Sequence, residues 1–215
     1  KEEQLEHLSE IRSLMEKSSR FLSLSGLSGV FAGIYALIGA YLVYVDFGIL
    51  STKKVMVSYA EFIQGEGADE VLMLKLKYLF LIGAVVLLLS LITGYFFTSR
   101  KAKKQNLKMW DNTAKRMVVS LFLPLIAGGV FCLALMKYQV VGLVAPATLI
   151  FYGLALLNAS KFTFNDIKYL GVLEVILGLI AAFNIGKGLL FWAIGFGVLH
   201  IIYGALMYFK YEKNK

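Results

Sequence analysis

Between Met117 and Ala159 the chain runs for 43 residues with a single formal charge, Lys137. A helix needs roughly 20 apolar residues to cross a bilayer core of about 30 Å, so this run is long enough for two crossings. Lys137, Tyr138 and Gln139 interrupt it at its centre and predict a tight turn between spans at 117–136 and 140–159. Four further apolar runs meet the same length requirement, at 21–45, 78–98, 167–186 and 189–209. The fold class that follows is an all-α integral membrane protein, a six-transmembrane-helix bundle over 21–209, because helices satisfy their backbone polar groups without water. No small-residue cleavage pattern follows the first run, so it reads as a retained span.

The basic residues are distributed by side. The N-terminal stretch, the 99–116 segment, the 160–168 segment and the C-terminus hold 16 of the 22 lysines and arginines, and in a six-span topology these segments share one side. The other side receives Lys53, Lys54, Lys75, Lys77, Lys137 and Lys187. By the positive-inside rule both termini are then cytoplasmic, in a multi-pass protein of the cell (inner) membrane. In a soluble chain a net charge of +8 would suggest nucleic acid as a partner; here it reports topology, and the expected partner is the lipid bilayer.

Outside the spans, residues 1–20 carry Leu5, Leu8, Ile11, Leu14 and Met15 on one stripe, with most charges elsewhere, which predicts an amphipathic cytoplasmic or interfacial helix. The Asp46–Leu74 segment holds Glu61, Glu66, Asp69 and Glu70 without the spacing of a calcium loop and reads as a solvated cap. The basic 99–116 loop, with Trp110, reads as a topogenic segment at the headgroup level, and residues 210–215 as a cytoplasmic tail. Cys132 is the sole cysteine and there are two histidines, so neither a metal site nor a cofactor is expected.

Within the spans the informative residues are Glu174 and His200, the acidic residue and the histidine that the chain places in hydrocarbon. An ionisable group there costs roughly 2.5–3.5 kcal/mol on insertion scales and marks a functional site by default. Both lie in the same frame: Gly171-Val172-Leu173-Glu174 with Gly178 in the fifth span, Gly197-Val198-Leu199-His200 with Gly204 in the sixth. Spacings of three and four put each polar residue on one helical face with its two glycines, a close-packing face that predicts contact between the two antiparallel spans. The two residues fall at nearly the same depth, within about 1.5 Å at helical rise, so a Glu174–His200 hydrogen bond is expected, as a proton relay or as a polar clasp.

The first span has a second small-residue face, Gly29 and Gly33 followed by Ala36 and Ala40, suited to packing within the bundle or to a homo-oligomer through that span. Pro124 and Pro146 in the central hairpin are candidates for kinks that free carbonyls. Serines at 23, 25, 28, 90 and 120 are expected to bond back to the backbone, and Thr163-x-x-Asp166 reads as a capping box for the fifth span.

Gly26-Leu27-Ser28-Gly29 resembles the G-x-S-G signature of the rhomboid intramembrane proteases, six-span proteins with a histidine on the last span. The resemblance implies an intramembrane serine hydrolase with Ser28 as nucleophile and His200 as general base. It covers about eight residues, and the order departs from the family, whose serine belongs to the fourth span, where this chain has Thr148. No nucleotide-binding or zinc-protease motif is present, and no catalytic residue is assigned otherwise. The functional expectation is a transporter or channel for a small solute or ion with a proton-sensitive Glu174–His200 pair; the alternative is a non-catalytic membrane scaffold or sensor acting through the N-terminal helix and the basic segment.

Overall fold

The computed structural model describes residues 24–47, 68–106, 109–138 and 140–213. Among these the chain is all-helical, and five helices are long and apolar enough to cross a membrane. The helices are α1 (Gly26–Phe47), α2 (Ala68–Lys104), α3 (Asn112–Lys137), α4 (Val144–Ala159), α5 (Asp166–Ala182) and α6, which spans Gly188–Tyr211. Short 3-10 turns lead into α4 at Val141–Leu143 and out of it at Ser160–Phe162. α5, over the fifth apolar run, has 17 residues, roughly 25 Å at helical rise; α4 has 16, which its flanking 3-10 turns extend to 22 over Val141–Phe162. Residues 1–20 and most of the expected cap at 46–74 lie outside the described residues.

Several boundaries differ from the sequence reading. α2 has 37 residues, roughly 55 Å, and overruns the apolar run at both ends. The segment from Ser99 to Lys104 is therefore helix and not loop. α6 likewise continues through Lys210 and Tyr211, so the tail begins two residues later than expected. At the start of α5 Asn165 holds the N-cap position, and the Asp166 carboxylate accepts from Lys210 Nζ at 3.0 Å and Tyr211 Oη at 2.6 Å. That carboxylate is engaged chiefly by the last turn of α6.

Helix packing divides the bundle into two tight pairs. α1 lies along α6, and α4 lies along α5; α2 flanks α1 and α3 flanks α4. Both pairs are glycine seams. On α1, a Cβ at Gly33 would lie 2.6 Å from the Gly197 carbonyl oxygen and one at Gly29 would lie 3.2 Å from the Gly204 Cα, so the small-residue face of the first span is filled by α6 of the same chain. On α4, a Cβ at Gly153 would lie 2.6 Å from the Gly171 carbonyl oxygen. Such backbone-to-backbone approach is how apolar helices gain contact where lipid removes the hydrophobic drive. The outer helices present broad apolar faces, among them Leu81, Leu88 and Ile92 on α2 and Leu123, Ile126 and Val130 on α3, as lipid-facing helices do.

The two prolines behave differently. Pro146 is the third residue of α4, where a helix leaves its N–H groups without partners in any case, so it frees nothing. Pro124 lies inside α3 and deprives the Ser120 carbonyl of its partner four residues on. That carbonyl accepts the Asn158 side-chain amide from α4 at 2.9 Å.

At the end of the bundle where α1 begins, Glu212 gathers three helices. Its carboxylate accepts from the Gly26 backbone N–H and from Ser25 Oγ at 3.0 Å, and pairs with Lys101 Nζ of α2 at 3.4 Å. An acceptor at a helix N-terminus satisfies an orphan donor and complements the helix dipole. Lys101 Nζ also donates to the Leu24 carbonyl at 2.6 Å, although Lys101 is buried.

Candidate functional site

The site forms where the two glycine-seamed pairs meet. In α6 the residues Ala193–Leu199 are wound as a π-helix, a wider turn that recurs at functional positions. Gly195 and Gly197 lie within it. The ring of His200, immediately after this turn, reaches back to the carbonyl five residues earlier: Nδ1 lies 2.9 Å from the Gly195 oxygen. A carbonyl only accepts, so Nδ1 carries the hydrogen and donates it. In the neutral ring Nε2 is then the acceptor, and it receives the hydroxyl of Tyr152, from α4, at 2.7 Å.

Glu174 approaches from α5. It is fully buried, at 0 % exposure, and its Oε1 lies 3.5 Å from His200 Nδ1. That separation is ion-pair range but too long for a hydrogen bond. Among the described residues neither carboxyl oxygen has a hydrogen-bond partner. The expected Glu174–His200 hydrogen bond is thus replaced: the residues sit side by side, and the π turn offers Nδ1–H a nearer acceptor at Gly195.

Gly195 also makes room for the carboxyl. A Cβ there would lie 2.5 Å from Glu174 Oε2 and 2.5 Å from Leu149 Cδ2, so the carboxyl occupies the space a side chain would take. The remaining surroundings are apolar or aromatic. Leu177 lies 3.2 Å from the same point. The Phe196 ring stacks on His200 at 5.9 Å between centroids and tilts against Tyr152 at 5.0 Å.

The glycine frames do not do what their repetition suggests. Gly171 and Gly178 face α4, where their Cβ positions fall 2.9 Å from the Gly153 carbonyl oxygen and 2.9 Å from the Ile150 nitrogen. Gly197 and Gly204 face α1, against Leu37 and Gly26. The reason is angular. Residues three and four apart are offset by about 60° and 40° around a helix, so Glu174 and His200 stand at the edges of their seams. From there their long side chains reach sideways to each other while the glycines face other helices.

Ser28 belongs to neither partner. Its hydroxyl donates to the Ser25 carbonyl at 2.6 Å, and both His200 nitrogens are engaged elsewhere, so the nucleophile and base implied by the serine-protease resemblance are not brought together. Ser90 likewise bonds back, to the Val86 carbonyl at 2.7 Å, whereas Ser25 bonds across to Glu212.

Sequence reasoning missed Tyr152 and Gly195. Tyr152 is one of 12 tyrosines and has no local pattern to single it out. Gly195-Phe196-Gly197 did carry a signal, since glycines two apart cannot share one α-helical face. Compared with protein-family models, curated proteins and solved structures, the chain matches none.

Proposed function

We propose that the chain is a six-span protein of the cell (inner) membrane, with cytoplasmic termini, in which Glu174 and His200 take up and release a proton during the passage of a small solute or ion. The observation that carries this reading is the Glu174 carboxyl: wholly enclosed, without a hydrogen bond among the described residues, and 3.5 Å from an imidazole nitrogen whose hydrogen is directed elsewhere. A carboxyl that served only to clasp two helices would gain most from bonding that N–H, because a buried polar group without a partner is costly. A movement of well under 1 Å would bring Nδ1–H within bonding reach of Oε1, at the roughly 2.7–3.2 Å of such bonds. The pair is therefore suited to two arrangements, one with Nδ1–H on Gly195 and one with it on Glu174.

The donor set favours a proton over a metal cation. Hard cations take roughly six or more oxygen ligands, whereas the carboxyl is surrounded by Gly195, Leu149 and Leu177.

Topology is supported by the contacts at one end of the bundle. Lys101 at the end of α2, Leu24 before α1 and Glu212 after α6 are bonded to one another, and Asp166 at the start of α5 is bonded to Lys210. This is the arrangement of an even number of crossings, with α5 counted as a span, and it gathers the segments that hold most of the basic residues.

The test is proton movement in proteoliposomes under an imposed pH gradient, with a panel of small solutes. Wild type should move protons, and Glu174→Gln should abolish that movement while remaining folded. Wild type and variant indistinguishable across the panel would instead favour the scaffold or sensor role.

A further inference from the structure

We propose that the Tyr152 hydroxyl is the relay group that delivers protons to this site, through His200 Nε2; the inference rests on the proton-binding reading above. Of the three side chains, Glu174 and His200 are buried and Tyr152 is half-buried, so Tyr152 is the least enclosed of the three. Its hydroxyl is 2.7 Å from Nε2, and Nδ1 on the far side of the same ring is 3.5 Å from Glu174 Oε1. The imidazole thus stands between the hydroxyl and the carboxyl, with Nε2 bonded to the one and Nδ1 beside the other. From α1 His200 is approached by Gly29, whose Cβ position lies 3.5 Å from the His200 carbonyl oxygen, so that helix brings backbone to this turn. The ionisable groups facing the ring are Tyr152 from α4 and Glu174 from α5.

The step balances without a redox partner. The phenolic proton passes to Nε2 as the Nδ1 proton passes to an ionised Glu174, and a hydronium from solvent restores the phenolic proton and leaves as water. The net result is one proton gained by Glu174 and a change of the His200 tautomer from Nδ1–H to Nε2–H. In the product, the carboxylic acid O–H donates to Nδ1, and Nε2–H donates to the Tyr152 oxygen, so both partners of the ring stay bonded. Release is the same transfer reversed. The phenolate never needs to exist as a separate species, because loss and gain of its proton belong to one concerted shift.

Two measurements test this. Tyr152→Phe keeps the ring that packs at 5.3 Å from His200 and 5.0 Å from Phe196, and removes only the hydroxyl. In proteoliposomes where wild type moves protons and Glu174→Gln does not, Tyr152→Phe should slow the movement at least tenfold. A Tyr152→Phe rate equal to wild type, with Glu174→Gln silent, would overturn the role of Tyr152 and leave the proton-binding reading intact. A silent wild type overturns both. The second measurement needs no variant. Nitrogen NMR of His200 in the wild type, paired with infrared detection of the protonated Glu174 carbonyl stretch, should show the tautomer switching as the carboxyl gains its proton. A tautomer that stays at Nδ1–H while the carboxyl titrates would refute the relay.

Discussion

Asn158 caps a carbonyl that a proline has orphaned, and this makes a sharp prediction. Pro124 has no N–H to offer the Ser120 carbonyl, and its ring pushes that carbonyl off the axis of α3. The Asn158 amide of α4 meets it at 2.9 Å. Asn158→Ala leaves an acceptor unpaired between packed helices, which costs about 1–3 kcal/mol. The other bond of Asn158, from Lys161 Nζ at 3.2 Å, is exposed and adds little to that cost. In a Pro124→Ala background, residue 124 regains an N–H and can bond Ser120 itself, so Asn158→Ala should become nearly silent. The assay is thermal unfolding in detergent of the four proteins of the cycle, and the coupling should recover most of the single-variant cost. An Asn158→Ala cost that is the same in both backgrounds, within about 0.5 kcal/mol, would refute the reasoning.

Gly195→Ala should destabilise by about 1–3 kcal/mol, as overpacking does, because the new methyl meets Glu174 Oε2 and Leu149 at 2.5 Å; a neutral effect on unfolding would mean that the carboxyl lies elsewhere. A double-mutant cycle of Glu174→Gln with His200→Ala should show coupling of about 0.5 kcal/mol or more, whereas strictly additive effects would separate the two groups. Asp166 stands just outside the 167–186 run; partial burial raises its pKa, but hydrogen bonds from Tyr211 and Lys210 outweigh this and hold it below the usual carboxylate range. A depressed carboxylate contributes stability above its unfolded value of about 3.9 and loses it as pH falls through the folded value, so wild type should lose stability below roughly pH 4 more steeply than Asp166→Asn. Equal acid slopes in unfolding experiments would count against that bond. Cysteines placed at Gln105 and Lys187 should react with an impermeant reagent from opposite sides of the membrane, and labelling from one side would end the even-span topology.

What the sequence disclosed was the apolar runs and the two ionisable residues within them, because the cost of polar groups in hydrocarbon restricts both so strongly. Helix ends were less legible. α2 outruns its apolar stretch into Lys101, Lys103 and Lys104 because lysine is a good helix former and an established helix propagates readily. α5 stops at Ala182, and the chain then turns through Gly186 at a φ of 96°, a conformation open to glycine. Tyr152 and Glu212 were invisible for another reason. Each acts through partners at least 48 residues away in sequence, His200 for one and Ser25, Gly26 and Lys101 for the other. No local pattern encodes such a meeting.

The glycine frames mark which helices are held most closely. Gly29, Gly33, Gly197 and Gly204 lock α1 to α6, and Gly153, Gly171 and Gly178 lock α4 to α5, backbone against backbone. Small-residue seams of this kind leave little freedom for one helix to slide on the other. The contacts of His200 with Tyr152 and Glu174 fall between the pairs. His200 and Gly195 belong to the α1–α6 pair, Tyr152 and Glu174 to the α4–α5 pair. Any displacement of one pair against the other must therefore alter the 2.7 Å bond from Tyr152 to His200 and the 3.5 Å gap from His200 to Glu174 together. On the proposed function, proton occupancy and the relative position of the two pairs are linked, so whatever favours one arrangement of the helices must shift the occupancy of the site by the same free energy.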